Sequence, residues 1–255
     1  MVMIFLQLLC AHVVADFYLQ SHEMCMHKMQ LLTRKGRICQ IGHAFVHGLL
    51  AYIFVSDWKN WLLPLLVFVS HLIIDVLKDI CLSKIQYQPN DIRSNWECVL
   101  FFIDQALHIL VIWILLKYVD IAGQTVMCCN ILDTKVLSCI IAYLIVLKPT
   151  SILIGKFTQR WQSVLLESEG LYDAGMWIGY AERVLALTFM LLGTYEALGF
   201  LIAAKSLLRF QETDTKRTEY VLIGTLLSFG VAVLLGVIIN SGETIKTIVI
   251  NLLKM

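Results

Sequence analysis

Apolar residues run along this chain in blocks close to the twenty or so positions a helix needs to cross a hydrocarbon core. The first block is Val2 to Gln20, and a shorter one covers Ile41 to Val55. A third runs from Trp61 to Lys78, and a fourth from Trp96 to Tyr118. A fifth covers Val136 to Leu147 and continues past a kink at Pro149 towards Gly155. A sixth lies within Ile178 to Leu208, and a seventh is Tyr220 to Ile239. Ser56-Asp-Trp-Lys-Asn60 is short enough to be a tight turn between antiparallel helices, and the tail Thr244 to Met255 reads as a short interfacial helix. The expected fold is all-α: a polytopic transmembrane helix bundle of about six to seven spans, divided into residues 1–120 and 121–255.

Composition agrees with the pattern. Of 255 residues, 59% are hydrophobic and only 15% charged, against roughly 45–50% and 25% in soluble domains. Mean hydropathy is +0.77. A soluble fold could not cover that much apolar surface. The net charge of +1 gives no basis for nucleic-acid binding. Expected partners are membrane lipids, with a second copy or another membrane protein as an option. The eight cysteines form no C-x-x-C motif and suggest neither a disulfide framework nor a zinc knuckle. No Lys or Arg precedes Lys28 and no cleavage site follows the first block, so that block reads as a retained helix.

Lysine and arginine set an orientation. Lys28, Arg34, Lys35 and Arg37 follow the first block, and Lys78, Lys84 and Arg93 follow the third. The linker after the second block carries only Lys59. The first, third and fifth helices should therefore run inward. The rule fails later: Lys156 and Arg160 compete with Lys205, Arg209, Lys216 and Arg217 for one side. Either Ile178–Leu208 contains a hairpin or re-entrant element, which Glu196 in that run permits, or one of the two basic clusters lies outside.

Histidine changes the picture most. All seven precede residue 109. Four pairs stand at i, i+4 spacing: His12 and Asp16, His43 and His47, His71 and Asp75, Asp104 and His108. That spacing puts both members on one helix face. At about 1.5 Å per residue, all four pairs fall within roughly 3–18 Å of the same membrane face. Four antiparallel helices, an N-terminal His/Asp module, would thus aim eight polar groups at one place. His22 and His27, in the basic loop, read as surface residues.

Ionised groups inside a membrane cost several kcal/mol unless paired. Inward-facing carboxylates and imidazoles in a bundle core are how metal sites are built there. Three Asp, five neutral His, two divalent ions and one hydroxide would balance to zero. An imidazole-rich donor set favours a transition metal, with zinc the first candidate and one or two ions accommodated. The same groups also suit a His/Asp proton or ion relay, or purely structural hydrogen bonds between helices, and some would orient ligands rather than bind.

At these residues the chain resembles the uncharacterised bacterial membrane proteins catalogued as domain of unknown function 3307. The motif is Ala11-His12-Val-Val-Ala-Asp16-Phe17-Tyr-Leu19-Gln20, followed by the elements at 43–47, 71–75 and Asp104-Gln-x-x-His108. The match is strong over roughly residues 1–120. The second half resembles the longer members through Gly179-Tyr-Ala-Glu182-Arg183, Gly199 to Ser206, and Glu219 to Phe229. The resemblance implies a multi-pass protein of the bacterial cytoplasmic (inner) membrane and brings no established activity. A looser likeness is to membrane proteins named as metal-dependent hydrolases. Three functions follow for testing: a hydrolase of a lipid-like or membrane-soluble substrate, a divalent-ion or proton carrier or sensor, and a partner-recruiting subunit with a metal staple.

Overall fold

The computed structural model describes residues 1–30, 32–121, 133–162, 174–209 and 215–242. Every regular element among them is helical. The first is α1 (Val2–Val14), which widens into π-helical turns over Ala15–Leu19. Next come α2 (His22–Lys28), α3 (Arg34–Val55), α4 (Leu62–Ile85) and α5 (Asn90–Ile121). The rest are α6 (Thr134–Val146), α7 (Lys148–Gln162), α8 (Ala174–Leu192), α9 (Tyr195–Arg209) and α10 (Thr215–Asn240). Among the described residues, six stretches are long and apolar enough to cross a membrane: Val2–Leu19, Arg34–Val55, Ile92–Lys117, Thr134–Gln159, Ala174–Leu192 and Thr218–Asn240. The bundle is a multi-pass membrane fold. The expected interfacial tail, Thr244 to Met255, lies outside the described residues.

The helices are inverted relative to those of soluble proteins. On α3 the buried face is Gln40, His43, Ala44, His47, Gly48 and Ala51, and the exposed face is Ile38, Ile41, Phe45, Leu49 and Ile53. On α4, Leu63, His71, Asp75 and Asp79 are buried, while Leu65, Val69, Ile73 and Leu77 are exposed. Both stripes follow the 3.6-residue period, but the polar one points inward and the apolar one outward, as lipid requires. Helix α4, at 24 residues, is long enough to span; it falls outside the six apolar stretches because Asp75, Lys78 and Asp79 cluster in it.

Contacts divide the chain into two units, Met1–Ile141 and Ala142–Lys254. In the first, small buried residues sit beside the chemistry: Ala11 and Ala15 flank His12 and Asp16, and Ala44, Gly48 and Ala51 flank His43 and His47. Their size lets the backbones approach closely. The turn expected at residues 56–60 is present. Ser56 ends α3 with left-handed backbone (φ 55°), and the Leu63 N–H donates to Asn60 Oδ1 at 3.1 Å.

The link between α1 and α3 is more compact than a basic loop. Ser21 caps α2 by accepting from the Met24 N–H, and Thr33 caps α3 by accepting from the Gly36 N–H. Gly36 packs against the preceding chain so closely that a Cβ there would lie 2.1 Å from the Gln30 carbonyl oxygen and 2.8 Å from that of His27. Lys28, at the end of α2, is buried in this arrangement.

In the second unit, Pro149 splits the fifth apolar block into α6 and α7. Proline has no N–H to give, so carbonyls at the break need other donors. Thr150 Oγ1 donates to the Ile145 carbonyl at 2.6 Å, and Arg183 Nε donates to that of Val146. The Arg183 guanidinium also donates to Ser228 Oγ at 3.0 Å and Ser151 Oγ at 2.6 Å. Its neighbour Glu182 pairs instead with Lys205, as adjacent positions on different helix faces allow. The run Ile178–Leu208 is a hairpin: α8 stops at Gly193 (φ 72°), and Glu196 stands exposed in the first turn of α9, not in mid-span.

Gly36→Ala should lower the melting temperature in detergent by the equivalent of about 1–3 kcal/mol, because backbone must move. Gly42→Ala, with nothing within 4 Å of its Cβ position, should leave it unchanged or raise it slightly.

Candidate metal centre

The four pairs arrive from four helices at one place, and Asp16 is its hub. His43 Nε2 and His47 Nε2 lie 3.1 and 3.0 Å from Asp16 Oδ1, and His71 Nε2 lies 3.7 Å from the same oxygen. His12 Nε2 is 3.6 Å from Oδ2. The imidazoles stack: His47 on His71 with centroids 3.4 Å apart, His71 beside His108 at 4.1 Å, and His12 on His108 at 5.0 Å. Asp16 sits in the π-helical stretch that ends α1. Such a widening breaks the regular helical register and is frequent at functional sites.

Asp75 is a second hub. Its Oδ2 lies 3.5 Å from His71 Nε2 and 3.6 Å from His43 Nε2. Within the cluster, donor atoms mutually within 4.8 Å form three sets that could hold a metal ion: His12, Asp16, His47 and His71; His43, His71 and Asp75; and Asp75, Asp104 and His108. All eight residues expected from the spacing belong to at least one set.

The cluster is layered along the helices. His12, His47, His71 and His108 line a cavity of about 20 Å³, room for about one water molecule. On one side of it, Ile4, Leu8, Ala51, Val55, Leu63, Ile112, Leu115 and Leu116 form an apolar plug. On the other side lie Asp75 and Asp104, then Lys78, Asp79 and Gln40.

Polar satisfaction is incomplete in an informative way. His71 Nε2, His108 Nε2 and Asp104 Oδ1 are buried and make no hydrogen bond among the described residues. His108 Nδ1 donates to the Asp104 carbonyl at 2.8 Å. That bond fixes the tautomer of a neutral ring and leaves the Nε2 lone pair free. Native interiors rarely leave such groups unpaired unless something else meets them.

Five participants were not read from the spacing. Lys28, expected in a solvated basic loop, is only 2% exposed and pairs with Asp75. Lys78, expected to mark the inner end of its span, lies 3.0 Å from Asp75 Oδ1 and 3.1 Å from Asp104 Oδ2. Gln105 donates from Nε2 to Asp16 at 3.2 Å and to Asp104 at 3.1 Å. Gln40 donates to Asp79 at 2.8 Å. Asp79 had a signal in the sequence, since 71, 75 and 79 continue one i, i+4 stripe. Lys28 had none, because its place depends on how α2 folds back.

Fold and site together define a multi-pass helical membrane protein with a buried polar centre of histidine and aspartate. A family model described as Protein of unknown function (DUF3307) matches residues 4–137, more than half of the chain. The chain belongs to that family, and the match contains the whole cluster. Comparison with curated proteins and with solved structures gives no match.

Removing one partner of a buried ion pair strands the other. Asp75→Ala leaves two ammoniums without their shared carboxylate, and should cost about 3–5 kcal/mol, read as a large fall in melting temperature with chelator present. Glu97→Ala, whose pair with Arg93 is partly exposed, should cost no more than about 1 kcal/mol.

Proposed function

We propose that the chain is a membrane-embedded, metal-dependent hydrolase acting on a lipid-like or membrane-soluble ester, phosphoester or amide. The observation that carries this reading is the meeting of three His/Asp pairs and one His/His pair around buried, unbonded imidazole nitrogens. An all-hydrogen-bonded network would pair those atoms, whereas a metal ion would use their lone pairs. The donors are mainly imidazole with carboxylate, which suits zinc or a similar divalent transition metal better than magnesium or calcium. Such an ion supplies a Lewis acid and a water ionising near neutral pH.

The protein supplies the rest. His12, Asp16, His43, His47, His71, Asp75, Asp104 and His108 are the candidate metal residues, and Gln105 bridges two of the carboxylates. The cavity beside the imidazoles has mainly apolar walls, among them Ala51, Val67 and Ile112. Charge interactions gain strength where water is excluded. On this reading the chemistry would take place within the cytoplasmic membrane of a bacterium, a setting supported by six apolar helices long enough to span a membrane.

A carrier would need a route to both faces. The plug of Ile4, Leu8, Val55, Leu63, Leu115 and Leu116 stands across one of the two directions away from the imidazoles, which favours a one-sided centre over a conducting path. Elemental analysis of freshly purified protein should find stoichiometric transition metal, lost in His71→Ala. Turnover of fluorogenic ester or phosphoester amphiphiles in mixed micelles should vanish with chelator and return with zinc. Absence of metal from the wild type overturns the centre. Metal that raises melting temperature without supporting turnover of any ester, phosphoester or amide points to a staple instead.

A further inference from the structure

Asp75 belongs to two of the three donor sets, and both its carboxylate oxygens already face an ammonium. Lys28 Nζ bonds Oδ2, and Lys78 Nζ lies 3.0 Å from Oδ1 while also reaching Asp104 Oδ2 at 3.1 Å. A divalent ion seated on Asp75 would meet two positive charges near contact distance. Repulsion between like charges is little screened inside a bundle.

Among the described residues, the remaining set, His12, Asp16, His47 and His71, includes none paired with an ammonium. Besides imidazoles, Asp16 meets the Gln105 amide, a neutral donor. Three of its members line the water-sized cavity together with His108.

Charge leads to the same place. The buried centre holds four carboxylates, Asp16, Asp75, Asp79 and Asp104, against two ammoniums, Lys28 and Lys78. The two negative charges left over match one divalent ion. The balance expected from the sequence, two ions and a hydroxide against three Asp, omitted both lysines and Asp79. With them included, two ions would leave two uncompensated positive charges in a low-dielectric core, and one even with the hydroxide retained.

The geometry points to a single metal ion held by His12, Asp16, His47 and His71, with the ammoniums of Lys28 and Lys78 occupying a second cation position at Asp75 and Asp104. This assignment rests on the proposed metal centre and deepens it. The second position is latent: once its lysines are removed, Asp75, Asp104 and His108 form an acidic, imidazole-containing set with Asp104 Oδ1 and His108 Nε2 unbonded.

The test is metal stoichiometry of the full chain in detergent micelles, saturated with zinc, desalted, and measured by mass spectrometry. The wild type should carry one zinc per chain and the Lys28→Met, Lys78→Met double variant two. Asp104→Asn should keep its one ion, and His47→Ala should lose most of it. Two ions in the wild type, or a folded double variant that stays at one, overturns the inference while leaving the metal centre standing. Should the double variant not fold, Asp104→Asn decides: an ion kept supports the assignment and an ion lost overturns it. A wild type without metal rejects the centre itself, and this inference with it.

Discussion

Hydrocarbon does not solvate charge, and the first unit is organised around that constraint. A carboxylate or ammonium within a span must find partners inside the protein. Asp16, Asp75, Asp79, Asp104, Lys28 and Lys78 find them in one another and in five imidazoles. The apolar stripes then have only one place left to go, outward. Inverted helices, small residues at the close contacts, and the inward turn of Lys28 all serve the same convergence.

Antiparallel threading converts a simple repeat into a layered site. In α1 and α4 the histidine precedes the aspartate, and in α5, running the other way, it follows. The reversal of order with the reversal of direction puts imidazoles at one level and carboxylates at the next. The apolar plug occupies the level beyond the imidazoles, so the polarity of the module changes along its axis. A gradient of this kind suits a centre approached from one side, and it gives the imidazole layer its dry surroundings.

The second unit meets the same constraint without imidazoles. Arg183 is buried, and its donors go to two serine hydroxyls and to a carbonyl near the Pro149 break. The proline removes a backbone donor and the arginine supplies another. Glu182 and Lys205 form a separate pair. These arrangements satisfy groups by pairing them, whereas the first unit leaves Nε2 lone pairs open. That difference separates a structural polar cluster from a candidate centre.

Span number, helical class and the eight-residue cluster were legible in the sequence, since each depends on local periodicity. Apolar block length sets the spans, and i, i+4 spacing sets the face. The depth of each pair follows from counting residues along helices of known rise. Asp79 was legible by the same stripe, once that stripe is followed beyond Lys78. The hairpin at Gly193 and the break at Pro149 could be anticipated but not resolved, because glycine and proline mark where a helix can stop without saying how the chain continues. Only the tertiary structure decided which oxygen meets which nitrogen. It also decided that α1 ends in π-helical turns, and that two lysines assigned by composition to a solvated rim are drawn into the core. A lysine's charge is written in the sequence. For Lys28, whether that charge faces water or an aspartate depends on the path of a seven-residue helix, α2, pressed against a glycine in the next one, and no local pattern encodes that contact.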